Sequence, residues 1–362
     1  MEELGVPRHL RVAVHRLYEE VKVKIITSTA ISESFRSDIR VKQGCPLSPT
    51  LFGLYIDKLE EWLNSQGGDG IHLGKFVIRL LLYADDLILI ANSALGLQEH
   101  LHSLENFCKR VGMQVNISKT KVVVFSNKRK HNQRKFYFEG NILEEVAEYK
   151  YLRIDFNRNL SWDGCRKKRT LGGWKAFYAL QNRCREAELW DWKTTLTLFG
   201  LLVIPVILYG CELWASSTTK MQWKQIEKIQ KRLITNKFKI KSAVPYAILL
   251  SETGAAPIEA IAMVRVIRYL KKIEQMEEGR WPKVVFSDRL YKRKNTWMRK
   301  NKKWFSKWGI FLSICPTNSK EIKAFVMDKF HKCNLDKDLG SKKKSIILKC
   351  LIPLIVINKK HT

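Results

Sequence analysis

Two adjacent aspartates, Asp85 and Asp86, lie between two short apolar runs, residues 80–83 and 87–90, which have the composition of β-strands. Carboxylates at the bend of a buried hairpin are costly unless a positive group lies against them. Mg²⁺ would suit this position, because it takes oxygen ligands and keeps its other coordination positions for water and phosphate. The alternative is an ordinary turn, since aspartate is a common turn residue.

The net charge of the chain is +30 at pH 7, and it is unevenly distributed. Residues 1–150 contain 21 basic and 18 acidic residues, whereas residues 151–362 contain 44 and 17. A basic half favours a polyanion as partner, and nucleic acid comes first because lysine and arginine neutralise its phosphates. A soluble surface that is merely basic is the alternative.

Cysteine usage and hydropathy indicate the compartment. The eight cysteines include no C-x-x-C pair, so they predict neither a zinc site nor the disulfide framework of a small secreted domain. The first ten residues have no apolar core, so no signal peptide is predicted. Residues 194–211 are long enough to span a bilayer, but a buried helix pair broken at Pro205 explains them as well. We expect an intracellular protein, nuclear or cytoplasmic, that is not secreted and has no membrane partner.

The spacing of apolar residues predicts an α+β fold. Helical periodicity covers residues 7–24, 49–64 and 94–111, and then, in a mostly helical second half, residues 174–189, 193–208 and 221–236. Alternation of β-branched residues predicts strands at 22–29, 34–41, 114–125 and within 136–156. Residues 75–90 predict a β-hairpin with the two aspartates at its bend, packed on the helix 49–64. Domain boundaries are expected after residues 157 and 279, and the fold of the basic, tryptophan-rich part 280–362 is left open.

Three motifs follow one another in the first half: QGCPLSPTLF at 43–52, YADD at 83–86, and GMQVNISKTK at 112–121. YADD alone is only four letters, whereas the ordered set is specific. The set resembles the palm of reverse transcriptases, in particular the LINE-type (non-LTR) retrotransposon class. The resemblance continues into Tyr151-Leu152 and the run LYGCELW at 208–214, and covers roughly residues 5–275.

The resemblance implies a partial reverse-transcriptase palm over residues 1–157, a thumb-like region over 158–279, and nucleotidyl transfer assisted by Mg²⁺. RNA template, DNA primer and deoxynucleoside triphosphate are the implied partners. Asp85 and Asp86 would be catalytic metal ligands, and Lys119 or Lys121 would lie near the triphosphate. The residues implied to contact template or primer are Gln43, Gly44, Pro46, Leu47, Ser48, Pro49, Phe52, Tyr83, Tyr151 and Leu152.

The chain also departs from the family pattern. It shows no counterpart of the block with the other catalytic aspartate, of the fingers, of an endonuclease domain or of a zinc knuckle. Arg153 stands where the family usually has glycine. We therefore expect a truncated copy that is inactive alone. In an active form, a longer product of the same element would supply the aspartate, or Asp38 or Asp57 would replace it.

A protein that binds RNA or DNA without catalysis, through its basic half, is the alternative function. Tryptophans in that half offer stacking platforms for bases, although tryptophans at helical spacing more often belong to a core. The residues concerned are Trp174, Trp190, Trp192 and Trp214.

Overall fold

The structure is a computed structural model that describes residues 1–19, 21–36, 44–73, 76–125, 134–189, 191–287 and 297–339, with side chains to residue 332. The helices are α1 (Arg8–Glu19), α2 (Ser48–Ile56), α3 (Lys58–Ser65), α4 (Ala94–Val111), α5 (Asp163–Glu186), α6 (Trp192–Leu198), α7 (Ile204–Ile207), α8 (Cys211–Trp214), α9 (Lys220–Phe238), α10 (Tyr246–Thr253), α11 (Ile258–Glu274), α12 (Trp281–Ser287), α13 (Trp297–Ser306) and α14 (Ser319–Leu339). Helices dominate after residue 160, as the sequence predicted.

The strands are β1 (Lys22–Val23), β2 (Phe35–Arg36), β3 (Ile71–Leu73), β4 (Phe76–Ile78), β5 (Leu80–Tyr83), β6 (Asp86–Leu89), β7 (Lys121–Val122), β8 (Phe136–Phe138), β9 (Asn141–Glu145), β10 (Glu148–Tyr151) and β11 (Ile154–Asn157). The described residues form one three-stranded sheet, β7–β9–β8, and antiparallel pairs β1–β2, β3–β4, β5–β6 and β10–β11. The fold class is therefore α+β.

The chain divides into two compact units, residues 1–122 with 133–144, and residues 123–132 with 145–362. In unit 1, the central helix is α4. It begins where Ser93 Oγ accepts the Gly96 N–H at 3.0 Å and ends at Gly112, whose φ of 70° is left-handed. The apolar face of α4 is buried and packs against α3, which contributes Leu59 and Leu63. Each such leucine contributes about 1.5–3 kcal/mol through burial.

A loop carboxylate attaches the β3–β4 ribbon to the start of α4. Asp69 accepts the backbone N–H of Ser93 at 2.6 Å and that of Gly70 at 2.8 Å. The hydrogen bonds from Ser93 are the main reason that the pKa of Asp69 lies below its usual value. The His100 ring also contacts the Asp69 carbonyl oxygen, at 2.6 Å. The hairpin β5–β6 lies in sequence between β4 and α4, the two elements that these contacts join.

Unit 2 has a large helical core in which α5, α7, α9 and α11 meet. Phe177, Ile207, Trp214, Ile229 and Ile267 are each completely inaccessible to solvent, and they belong to one apolar cluster. Because Phe177 and Ile267 come from helices far apart in sequence, their shared cluster holds those helices together.

The uncharged run 194–211 forms α6, a π-helical turn over Phe199–Val203, and α7. The predicted break at Pro205 is wrong. The π turn precedes Pro205, which lies in the first turn of α7, where its missing N–H costs little. The chain breaks instead at Gly210, with a φ of 65°. No single described helix is long and apolar enough to cross a membrane, although two bent pairs, Trp192–Ile207 with Cys211–Ser217 and Tyr246–Thr253 with Ile258–Glu274, meet the length and composition criteria together.

Several predicted elements are shorter than the sequence pattern suggested. The strand predicted over 114–125 is reduced to β7, because the Asn116 side chain accepts the Lys119 N–H at 3.1 Å and closes a turn. The helix predicted over 49–64 is interrupted at Asp57, and the first helix ends at Glu19. The strands predicted over 22–29 and 34–41 pair only as β1 and β2, and residues 37–43 lie outside the described ranges.

Candidate functional site

Asp85 and Asp86 lie at the apex of the hairpin β5–β6. The register pairs Leu80 with Leu89 and Tyr83 with Asp86, so Ala84 and Asp85 form a two-residue turn. Ala84 has a φ of 53°, which is unfavourable for a residue with a Cβ atom. The sequence prediction of a hairpin with the aspartates at its bend is confirmed, although the hairpin covers residues 80–89 because β4 pairs with β3 instead.

The strands of this hairpin are more exposed than the sequence suggested. Leu80 is buried, but Leu81 and Leu82 are each 36% exposed, and Tyr83 is 63% exposed. The expectation of a buried hairpin is therefore wrong. The physical reason is that β5–β6 is a two-stranded ribbon, and the helix it contacts is α4, which lies beside β6.

Neither apical carboxylate has a hydrogen-bond or ion-pair partner within the described ranges, and both residues are exposed. Those ranges also contain no group of three or more histidine, cysteine, aspartate or glutamate side chains that would hold a metal ion. Mg²⁺ is often bound through one or two carboxylates together with substrate phosphates and water. The two aspartates fit that kind of shared site, and they do not fit a closed protein cage.

The motif 44–52 leads into α2. Gln43 lies outside the described residues, and Gly44 has a φ of 81°, where glycine is favoured. The Tyr18 hydroxyl donates to Cys45 Sγ at 3.6 Å and lies 3.2 Å from Ser48 Oγ, which joins α1 to the motif. The Tyr18 hydrogen bond is the main cause that lowers the pKa of the Cys45 thiol.

The other residues of this motif differ in accessibility. Pro46, Leu47 and Pro49 are exposed, Phe52 is half-buried, and Ser48 is buried. Exposure of both prolines and of Leu47 leaves an apolar, conformationally restricted surface at the start of α2.

The two candidate lysines have different surroundings. Lys121 lies in β7, and its Nζ is 2.7 Å from Glu144 Oε2 in the same unit. Lys119 is exposed in the preceding turn. The Glu144 carboxylate is 65% exposed, so this pair is weak and leaves either lysine able to meet an anion.

Tyr151 and Leu152 lie in unit 2, where the hairpin β10–β11 turns. Tyr151 pairs with Ile154, so Leu152 and Arg153 form the turn, with φ values of 46° and 63°. Tyr209 Oη donates to the Leu152 carbonyl oxygen at 2.9 Å, and the Arg169 guanidinium donates to that of Arg153. Sequence reasoning missed Tyr209 and Arg169. Arg153 stands where the backbone conformation favours glycine, and this was the one sequence signal that other groups hold the turn.

The tryptophans proposed as stacking platforms are mostly part of the core. Trp214 is completely buried, and Trp174 and Trp192 are half-buried and pack on apolar clusters, whereas Trp190 lies outside the described residues. Asp57, named as a substitute ligand, is exposed between α2 and α3, and Asp38 is outside the described ranges.

Comparison with known proteins shows what the first part of the chain is similar to. Residues 1–156 match the family model described as reverse transcriptase (RNA-dependent DNA polymerase). A transposon-derived protein of Caenorhabditis elegans is 34% identical over 140 residues, which are 37% of this chain and 48% of that protein. Residues 1–156 are therefore similar to reverse transcriptases.

The relatives also indicate the class of reverse transcriptase. The retrovirus-related Pol polyprotein from the type-2 retrotransposable element R2DM of Drosophila melanogaster is 31% identical over 160 residues, 42% of this chain and 15% of that polyprotein. The corresponding polyprotein from a type-1 R2 element of Popillia japonica is 30% identical over 179 residues, 48% and 24%. The chain thus spans no more than about half the length of these relatives. The matched segment is thus similar to reverse transcriptases of the LINE type, and the motif residues from Gln43 to Leu152 all fall inside the matched region.

Proposed function

We propose that this chain carries the palm of an RNA-directed DNA polymerase, in which Asp85 and Asp86 bind Mg²⁺. The observation that carries the proposal is the position of these aspartates, which occupy the exposed apex of a hairpin inside the reverse transcriptase segment. Their carboxylates accept no hydrogen bonds within the described ranges, so all their oxygens remain available as ligands.

Bound magnesium would supply charge neutralisation for the phosphates and activation of the primer 3′-hydroxyl. Residues of the chain would do the rest. Lys119 or Lys121 would neutralise the incoming triphosphate, and the left-handed Gly44 would let the backbone approach the template. The turn at Tyr151-Leu152 would hold the primer end.

We further propose that residues 1–362 do not extend a primer by themselves. Catalysis by two metal ions needs carboxylates on both sides of the ions, and Asp85 and Asp86 are one such source. A longer product of the same element would supply the other.

Primer extension on an RNA template tests the proposal. With Mg²⁺, residues 1–362 should give no detectable product. A longer product of the element that includes a further acidic block should extend the primer, and Asp85→Ala in that product should abolish extension. Glu60→Ala, at an exposed position in α3, is the matched acidic control. Robust extension by residues 1–362, or extension that survives Asp85→Ala, would contradict the proposal.

A second candidate function is nucleic-acid binding without catalysis, which the charge of residues 151–362 favours. Both functions predict binding of RNA or DNA with little sequence preference and with affinity that falls steeply with salt, by about 0.9 log units per phosphate for each tenfold change. They differ in the longer product, where only the polymerase extends a primer. Failure of the chain to bind nucleic acid at low salt would contradict both.

A further inference from the structure

The turn of the β10–β11 hairpin has an unusual sequence for its conformation. Both of its central residues, Leu152 and Arg153, have positive φ. That is the pattern of a type I′ turn, which Asn-Gly and Asp-Gly form most readily. A bulky leucine and an arginine adopt it only where surrounding groups hold them there. Something else in unit 2 must therefore stabilise this turn.

The support comes from two side chains that hydrogen-bond to the two carbonyl groups of the turn. Tyr209 Oη donates to the Leu152 oxygen at 2.9 Å, and Arg169 Nη2 donates to the Arg153 oxygen. The Arg169 guanidinium also lies over the Tyr209 ring, with 4.7 Å from Cζ to the ring centroid. The two supporting side chains thus hold each other as well as the turn.

The backbone beneath them is closely packed. A Cβ atom at Gly173 of α5 would lie 2.4 Å from Ile207 Cγ1, and one at Gly210 would lie 2.3 Å from Ile154 Cδ1. These glycines let α5, the end of α7 and the first residue of β11 approach one another. Lys168, next to Arg169, donates to the buried Asp155 at 2.8 Å and anchors the same hairpin to α5. The turn consequently has a rigid base.

The side chain that this turn presents is that of Arg153. Arg153 is exposed, and its guanidinium has no ion-pair partner among the described residues. Arg169, by contrast, is already committed to a carbonyl oxygen and a ring. An exposed guanidinium on a turn whose backbone is held, in the basic half of the chain, has the chemistry to bind a phosphate through charge-assisted hydrogen bonds.

We infer that Tyr209 and Arg169 are positioning residues that hold the turn from which Arg153 contacts a backbone phosphate of bound nucleic acid. The inference rests on the proposed function, since it needs nucleic acid as the ligand. It goes beyond the motif residues, because Tyr209, Arg169 and Arg153 are assigned no role by the reverse transcriptase match.

The test measures binding of the 362-residue chain to a labelled DNA primer annealed to an RNA template, across a range of salt. Arg153→Gly should weaken binding by about tenfold, the effect of one charge-assisted hydrogen bond. It should also reduce the slope of log K against log salt by roughly 0.7–0.9, which is one phosphate. Arg153→Lys should retain most of the slope. Arg153→Gly should meanwhile raise the melting temperature, because glycine adopts this φ without strain.

Tyr209→Phe separates positioning from a general structural role. We expect it to weaken binding by about fivefold in the wild-type background and by less than about twofold in Arg153→Gly, because the contact it positions is then gone. The matched control is Tyr178→Phe, an exposed tyrosine of α5, which should change nothing. Equal losses from Tyr209→Phe in both backgrounds, or an unchanged salt slope in Arg153→Gly, would overturn the inference while leaving the proposed function intact. A wild-type chain that does not bind at low salt would overturn both.

Discussion

The hairpins β5–β6 and β10–β11 have turns of the same length, but the side chains around the two turns differ. Each is closed by two residues, and each places a residue other than glycine at positive φ, Ala84 in the first and Leu152 with Arg153 in the second. The second turn has both carbonyl groups hydrogen-bonded by side chains from α5 and from residue 209. The first has half-exposed strands and two carboxylates without partners among the described residues.

The difference between the two turns suits two different roles, positioning of a ligand and binding of metal ions. Backbone strain of about 1–3 kcal/mol per residue persists only where other groups hold it. The β10–β11 turn, which side chains hold by hydrogen bonds, has a conformation that does not depend on a ligand, and this suits a positioning element. The open apex keeps its carboxylate oxygens free, which suits metal ions that arrive together with a substrate.

The largest expected effect tests whether the β5–β6 hairpin is open on one face. Leu80→Ala should lower the free energy of unfolding of unit 1 by about 2–5 kcal/mol, because Leu80 is buried and its loss leaves a cavity. Leu81→Ala, at the next residue of the strand, which faces the opposite side of the ribbon and is 36% exposed, should cost less than about 1 kcal/mol. Urea denaturation of both variants measures the difference. Equal costs would mean that both leucines are covered and that the contrast between the hairpins is wrong.

The next effect tests how tightly the second hairpin is held. Gly210→Ala should destabilise unit 2 by about 2–4 kcal/mol, because its Cβ would overlap Ile154 and its φ is 65°. Gly254→Ala is the matched control, with a φ of 66° and no atom within 4 Å of the added Cβ, and should cost only about 1 kcal/mol. Thermal and urea unfolding compare the two. A Gly210→Ala protein as stable as Gly254→Ala would show that the hairpin is not clamped.

Much of this arrangement was predictable from local sequence. The hydrogen bonds that Arg169 and Tyr209 make to the β10–β11 turn were not. The aspartate apex and the end of α4 at Gly112 follow from short-range patterns of apolar residues and turn formers. Exposure of Leu81 and Leu82 does not, because burial depends on which elements cover a ribbon. The contact of Tyr209 with Leu152 joins residues 57 positions apart, and close packing at Gly173 makes it possible. The spacing of apolar residues does not predict such a contact.

A third prediction contrasts the exposed carboxylates with a half-buried one, that of Glu227. Burial raises the pKa of Glu227 in unit 2 to about 8, with the nearby Glu259 charge adding to the effect. The folded state therefore favours the neutral acid, and the free energy of unfolding should fall as pH rises from about 4.5 to about 8. Glu227→Gln should remove this dependence and stabilise the protein at pH 8 by about 1–3 kcal/mol, at 1.36 kcal/mol per pKa unit.

Guanidinium denaturation at several pH values measures this effect. Glu321→Gln, at an exposed position in α14, is the matched control and should leave the pH profile unchanged. A Glu227→Gln protein that is no more stable than wild type at pH 8 would show that the surroundings of this carboxyl do not favour its neutral form. It would also weaken the contrast between functional acids at the surface and structural acids inside.

The smallest effect concerns strain at the open apex. Ala84→Gly should change the free energy of unfolding by less than about 1 kcal/mol, and in the stabilising direction, because relief of the positive φ offsets the greater freedom of glycine when unfolded. Ala147→Gly, at an exposed position without positive φ, should instead cost about 0.5–1 kcal/mol. A larger loss at Ala84 than at Ala147 would mean that the turn is not strained.

Metal binding at the apex tests the central claim most directly. Mn²⁺ can replace Mg²⁺ and be counted by electron paramagnetic resonance, with the chain bound to primer–template and a non-hydrolysable nucleotide. We predict that the wild-type chain binds Mn²⁺ beyond what nucleic acid and nucleotide bind alone, and that Asp85→Asn with Asp86→Asn removes that excess. Glu60→Gln, at an exposed position in α3, should retain it. An excess that is unchanged in the double variant would contradict the assignment of Asp85 and Asp86 as the metal ligands.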